Sequence, residues 1–319
     1  MDSNELLVYA CSVVLVPAVV ACLAAAPALV GPFRTRRSLV ELSTAFALPL
    51  AFLVSFVREA DLETVSRQFP WSSLDGSAPI ERWHRLALIA VGLAVVAPIL
   101  ATLRAAVTRG MDRLLSGGCI VGAAFVIGMF VQFPDASVER QILQGALCAA
   151  SALTFMLAGG AVLWVAAVAF GAVAALTLLS GCASFAVISA ATALAAGCMA
   201  VTAAIGGWKS SSAVEPECGG AFALVAGVLL ASIAMAGRAY DTMDIPGWSW
   251  ITVACLPVGV CFFRQFAVRA PHRASATFWR LLGVAVLAIG VLLAVAIVHP
   301  VEESGSSDSA DPMDGIYGG

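Results

Sequence analysis

Charge is what this chain has least of. Of its 319 residues, 17 are Lys or Arg and 20 are Asp or Glu, 12% in all, against about 25% in an ordinary soluble domain. The segment 141–208 carries no Asp, Glu, Lys or Arg over 68 residues. With 61% hydrophobic residues and a mean hydropathy of +0.97, there is too little polar material to cover a folded body in water, which excludes a soluble globular protein. Histidine is scarce too. His84, His272 and His299 fall at the ends of apolar runs, which argues against a haem held between helices by paired axial imidazoles. Nine cysteines are present, but none forms a CxxC pair, so they read as small apolar filler. Cys182 and Cys218 fall on opposite sides of the expected membrane and cannot pair within one chain. No cofactor, no metal and no nucleic-acid partner is expected.

What the chain does have is long apolar runs. A helix crossing a hydrocarbon core of ~30 Å needs about 20 apolar residues. Seven such windows are plain: 6–31, 39–57, 86–103, 114–132, 220–237, 245–263 and 281–298. The uncharged block is long enough for three more. Gly159-Gly160 and the run Ser180–Ser184 supply small-residue breaks, giving helices near 142–158, 161–179 and 185–206. The expected fold is therefore an all-α integral membrane protein, a polytopic bundle of about ten transmembrane helices. Its acidic N-terminal residues, followed by an apolar run longer than a signal-peptide core, read as an uncleaved first span.

Charge bias tests the count, because Arg and Lys accumulate in short cytoplasmic loops. With N-terminus and C-terminus both outside, eleven of the seventeen basic residues fall inside, among them Arg264, Arg269, Arg273 and Arg280, with only three acids. Six basic and sixteen acidic residues fall outside. Two spans in the uncharged block would instead turn the four-arginine loop outward. The inner face suits anionic lipid head groups. Trp71, Trp83, Trp248 and Trp250 then lie at outer boundaries and Trp208 and Trp279 at inner ones, as interfacial rings prefer. Compact loops and strong charge asymmetry point to a bacterial plasma (inner) membrane.

Two segments lie outside the spans. In 58–85, an outer loop, Leu62, Val65 and Phe69 recur at helical spacing and suit a helix on the membrane surface, ended by Pro70. The acidic, Ser- and Gly-rich 299–319 reads as a disordered tail.

Candidate functional residues are few. Glu41 is the only acid inside a span, and an intramembrane ionisable group is by default a functional candidate; an i,i+4 ion pair with Arg37 at the interface is its simpler reading. Arg82, His84 and Arg85 could grip a lipid phosphate at the outer face, or serve as an interfacial anchor. Glu59, Asp61 and Glu63 could coordinate a cation only if the local helix unwinds. Gly118 and Gly122 form a Gly-x-x-x-Gly helix-packing motif. Pro17, Pro49 and Pro98 would kink the first three spans, and of the later seven only the ninth has an internal proline, Pro257.

Ten helices in about 300 residues resembles, in size alone, the drug/metabolite transporter superfamily, built from two inverted halves of five. The termini differ from that pattern, the proline-bearing spans one to three have no counterparts in six to eight, and no residue motif carries over. The reading is a multi-pass membrane protein leaning to a small-solute permease, with a structural or accessory subunit of a membrane complex as the alternative. A membrane enzyme acting on lipid-linked substrates is a third reading; it would need convergent polar residues that only 58–85 could supply.

Overall fold

The computed structural model describes residues 8–9, 11–30, 37–59, 85–106, 112–130, 137–209, 219–269 and 273–298. Among them the chain is all-α, with no strand. A π turn, Cys11–Leu15, leads into α1 (Val16–Val30), followed by α2 (Arg37–Glu59), α3 (Arg85–Ala106), α4 (Asp112–Met129), α5 (Val138–Ala158), α6 (Val162–Leu179), α7 (Ala183–Lys209), α8 (Gly220–Ala239), α9 (Gly247–Ala254), a 3-10 segment (Leu256–Cys261), α10 (Arg264–Arg269) and α11 (Arg273–Val298).

Among the described residues, seven helical stretches are long and apolar enough, by length and composition, to cross a membrane, which fits a multi-pass membrane protein. One of them, Val138–Leu179, is 42 residues long. At 1.5 Å per residue it would reach about 63 Å, twice the hydrocarbon thickness. The chain interrupts it where glycine permits: Gly159 adopts φ +56°, a left-handed conformation open mainly to glycine, and a 3-10 turn over Gly159–Ala161 separates α5 from α6. The next break is at Ser180–Cys182, where Gly181 has φ +82°.

The window 114–132 is met by one continuous helix, α4, as far as Met129, about 27 Å at helical rise. Another window expected as a full span differs in the structure. The window 245–263 is not one helix. It is the eight-residue α9, a turn at Cys255 and the 3-10 segment beginning at Leu256. Pro257 lies in that segment; it cannot donate the i→i−4 hydrogen bond and its ring clashes with the preceding turn, so the α-helix ends before it.

In lipid nearly every helix is apolar all round, so hydrophobicity no longer says which one is central; side-chain size does. Helix α8, rich in Gly and Ala, is buried over its whole apolar length, whereas the Leu-, Val- and Ile-rich α11 is 28% buried over its own. Around α8 stand α2, α3, α4, α5, α6 and α9. Outside that ring, α1 lies on α2 and α7, and α11 on α6 and the 3-10 segment.

The backbone approaches that small residues permit are not at the predicted glycines. A Cβ on Gly118 or Gly122 would meet nothing within 4 Å; a face open to lipid gains nothing from a small residue. Two turns further on, Gly128 of α4 faces Gly145 of α5, where a Cβ would come within 2.8 Å of the Gly145 Cα. Gly227 of α8 lies against the Ser151–Ala152 backbone of α5, and Gly259 of the 3-10 segment against Gly283 of α11. The prolines divide similarly. Pro17 sits at the junction where the π turn gives way to α1, its missing N–H leaving the Val13 carbonyl without the usual partner. Pro49 and Pro98 lie within continuous α2 and α3. Trp250, expected in the interfacial belt, is 1% exposed, its ring seated on Gly237 of α8.

Candidate functional site

Helix α8 begins without a capping side chain: its N-cap is Gly219, which has none to offer. The first turn of any helix leaves backbone N–H groups unpartnered, and within a membrane such orphans are costly. Glu41 supplies the missing acceptor from α2, 180 residues away. Its Oε1 accepts the Ala221 N–H at 2.9 Å, and its carboxylate fills the space a Gly219 side chain would need. The residue is 4% exposed. A negative charge at a helix N-terminus is also favoured by the helix dipole, by up to about 2 kcal/mol where the site is partly buried.

The expected surface ion pair with Arg37 is therefore not the whole account of Glu41. Buried, the carboxylate joins two helices at the start of each. Arg37 opens α2, and its side chain lies outside the described residues. Uncapped Gly219 before an apolar run was the sequence signal for this partnership: a buried helix start lacking its own acceptor needs one from elsewhere.

At the other end of α8, the loop 240–246 is organised by Asp241. Its Oδ1 accepts the Met243 N–H at 2.9 Å, and its Oδ2 the Ile245 N–H at 2.8 Å and the Trp250 Nε1–H at 3.4 Å. Thr242 docks this loop on the α6–α7 turn, its hydroxyl donating to the Ser180 carbonyl at 2.9 Å over Gly181, where a Cβ would meet the Thr242 Oγ1 at 2.6 Å. The Cys182 S–H donates to the Tyr240 carbonyl at 3.0 Å. Burial pushes that thiol up from its ordinary pKa, with the nearby Asp241 carboxylate adding to the rise. In the sequence Asp241 is one of sixteen acids on the expected outer side, and only its turn context sets it apart.

Between these ends lies a set of buried hydroxyls. Thr44, Thr154, Thr177, Thr192 and Ser180 each donate to a carbonyl three or four residues back in their own helices, the usual way a helix satisfies such groups. The Oγ atoms of Ser55 on α2, Ser151 on α5, Ser189 on α7 and Ser232 on α8 are fully buried and have no hydrogen-bond partner among the described residues. Ser232 lies beside the Cys148 thiol without forming a hydrogen bond by geometry. Ser55, Ser189 and Ser232 lie four, six and seven residues from the helix ends on the Asp241 side, about 6–11 Å deep at helical rise. Gln144, Cys148 and Ser151 occupy one face of α5 by spacing.

The remaining candidates do not converge. Arg82 and His84 lie outside the described residues, as do Asp61, Glu63, His272, His299, Cys218, most of the 58–85 loop and the tail 299–319. Arg85 opens α3 and is half-buried. The Glu59 carboxylate accepts a hydrogen bond from the Tyr9 hydroxyl, joining the N-terminal segment to the end of α2. Comparison with protein-family models, curated proteins and solved structures gives no match.

Proposed function

We propose that this chain crosses a bacterial inner membrane ten times with both termini outside, and that it is a permease for small uncharged polar solutes. Support for the crossings comes from how contacts sort by end. Glu41 with Ala221 joins the starts of α2 and α8. On the opposite side, Tyr9 meets the end of α2, and the α6–α7 turn meets the loop after α8. Arg280, near the start of α11, reaches the Ala158 carbonyl at the end of α5 at 3.4 Å. Every pair agrees with strict alternation of ten segments, the broken α9 region included.

The observation that carries the permease reading is the set of four buried serine hydroxyls without partners. An unsatisfied buried polar group costs about 1–3 kcal/mol, so a native protein retains one where something else completes it. In an interior with almost no charge, the group that completes a hydroxyl is a water or a small hydroxylated or amide solute, not an ion. The interrupted α9 region adds irregular backbone at membrane depth, which bundles tolerate where it is buried in protein or lines a cavity.

Swelling of proteoliposomes in isosmotic glycerol or urea tests this. Purified protein is expected to raise the swelling rate several-fold over protein-free vesicles, and Ser151→Ala with Ser232→Ala to remove most of the gain while leaving thermal stability in detergent unchanged. Equal rates with and without protein would overturn the reading. They would favour a structural or accessory subunit, which the closely packed glycines of α4, α5 and α8 also suit, and which a co-purifying membrane partner would identify.

A further inference from the structure

From Ile245 to Val301 the sequence has no acidic residue, and it holds Arg264, Arg269, Arg273 and Arg280. The structure folds part of this stretch into an elbow. After the 3-10 segment, α10 runs for six residues and rests on the start of α11. Within α10 only Ala267 is buried. Trp279 of α11 is the hinge pin, with its ring 5.1 Å from Phe266 in a stacked arrangement, 5.9 Å from Phe263 and 5.7 Å from Phe278.

Around this aromatic cluster the surface mixes two chemistries. Val268 is 76% exposed and Phe262 60%, which suits acyl chains and not water. Arg264 and Arg269, both exposed, have no acidic partner among the described residues. Arg280 lies at the same end, its guanidinium against the Ala158 carbonyl and Gly159. Exposed rings and aliphatics beside exposed guanidinium groups define the boundary between hydrocarbon and head groups. Arginine, a planar fork of donors, matches phosphate oxygens in pairs.

We infer that the elbow of the 3-10 segment, α10 and the start of α11 is a binding surface for anionic phospholipid head groups, with Arg264 and Arg269, at the two ends of α10, each pairing with a head-group phosphate and the Phe263–Phe266–Trp279 cluster seating the glycerol and upper acyl chains. Charge complementarity selects this occupant: three guanidinium groups with no intervening acid require a negatively charged lipid, and the flanking apolar exposure requires one that carries chains. The inference is independent of solute transport and stands whether or not the chain is a permease.

Native mass spectrometry of the full chain released from vesicles of equal phosphatidylglycerol and phosphatidylcholine reads the preference directly. Each surface arginine contributes about fivefold to binding of an anionic lipid, so Arg264→Gln with Arg269→Gln is expected to lower the phosphatidylglycerol preference roughly 30-fold. The lysine pair Arg264→Lys with Arg269→Lys keeps the charge and is expected to retain most of it, which separates lost charge from lost folding. Arg58→Gln, at the opposite end of the bundle, is expected to change nothing. An unmodified chain with no preference, or a glutamine pair that keeps it, would overturn the inference. So would displacement of the bound lipid by millimolar inorganic phosphate, which would mark a site for the free anion instead.

Discussion

Replacing Glu41 by alanine is expected to destabilise the folded bundle by about 3 kcal/mol, read as a large drop in the thermal unfolding temperature of the purified protein in mild detergent. Two losses add here. The first turn of α8 loses its acceptor, and a buried N–H left unpaired costs about 1–3 kcal/mol; the favourable interaction of a charge with the helix dipole, up to about 2 kcal/mol, goes with it. Glu41→Gln keeps an oxygen for the Ala221 N–H and gives up only the charge, so it is expected to cost about 1 kcal/mol. Were Glu41 merely an exposed partner of Arg37, both variants would cost less than about 1 kcal/mol. Gly219 supplies the internal check. Gly219→Ala puts a methyl group where the Glu41 carboxylate sits, so it is expected to be costly in the native chain and much less so once residue 41 is alanine. That non-additivity is the signature of two groups sharing one space.

The second large effect is at Gly227. Alanine there places its Cβ inside the Ala152 backbone and 2.9 Å from the Ser151 carbonyl carbon, atoms no rotamer change can move aside. Helices α5 and α8 must separate, at an expected cost of about 3 kcal/mol or more. Because α8 is surrounded on every side, the separation spreads to its other neighbours, and lower yield of monodisperse protein is expected along with lower stability. Gly122→Ala is the matched control. Open space surrounds that position, so the same substitution is expected to be neutral or to stabilise the helix by up to about 1 kcal/mol. Equal losses at both positions would mean that α8 is not the closely packed centre.

Much of the helix layout was legible because membranes simplify the problem. A run of about 20 apolar residues has few alternatives to a helix, and glycine pairs or Ser-Gly turns mark where such runs stop; the interruptions at Gly159 and Gly181 lie where the glycines stand. Pairing between helices was not legible. In water a hydrophobic stripe points inward, but in lipid both faces of α3 or α11 are apolar, and nothing in the local pattern separates Gly122, facing open space, from Gly128, pressed on α5. Trp250 illustrates the same limit: placed at a boundary by sequence, it turns inward because Gly237 leaves a ring-sized recess. For the candidate site, Glu41 stood out as the lone intramembrane acid, while its partner at Ala221 depended on tertiary placement of a helix start far along the chain. The unpartnered serines carried no signal, since whether a hydroxyl bonds back to its own helix depends on its rotamer and not on its position in the sequence.

In the proposed topology α8 runs through the centre of the bundle, with the Asp241 loop on one side of the membrane and the α10 elbow on the other. Labelling with a membrane-impermeant maleimide tests this most directly. Asp244→Cys and Gln265→Cys, both at exposed positions, are introduced separately into a chain whose nine native cysteines are replaced. Asp244→Cys is expected to label only from outside intact cells and Gln265→Cys only in inverted vesicles. Labelling of both from the same side would contradict the account.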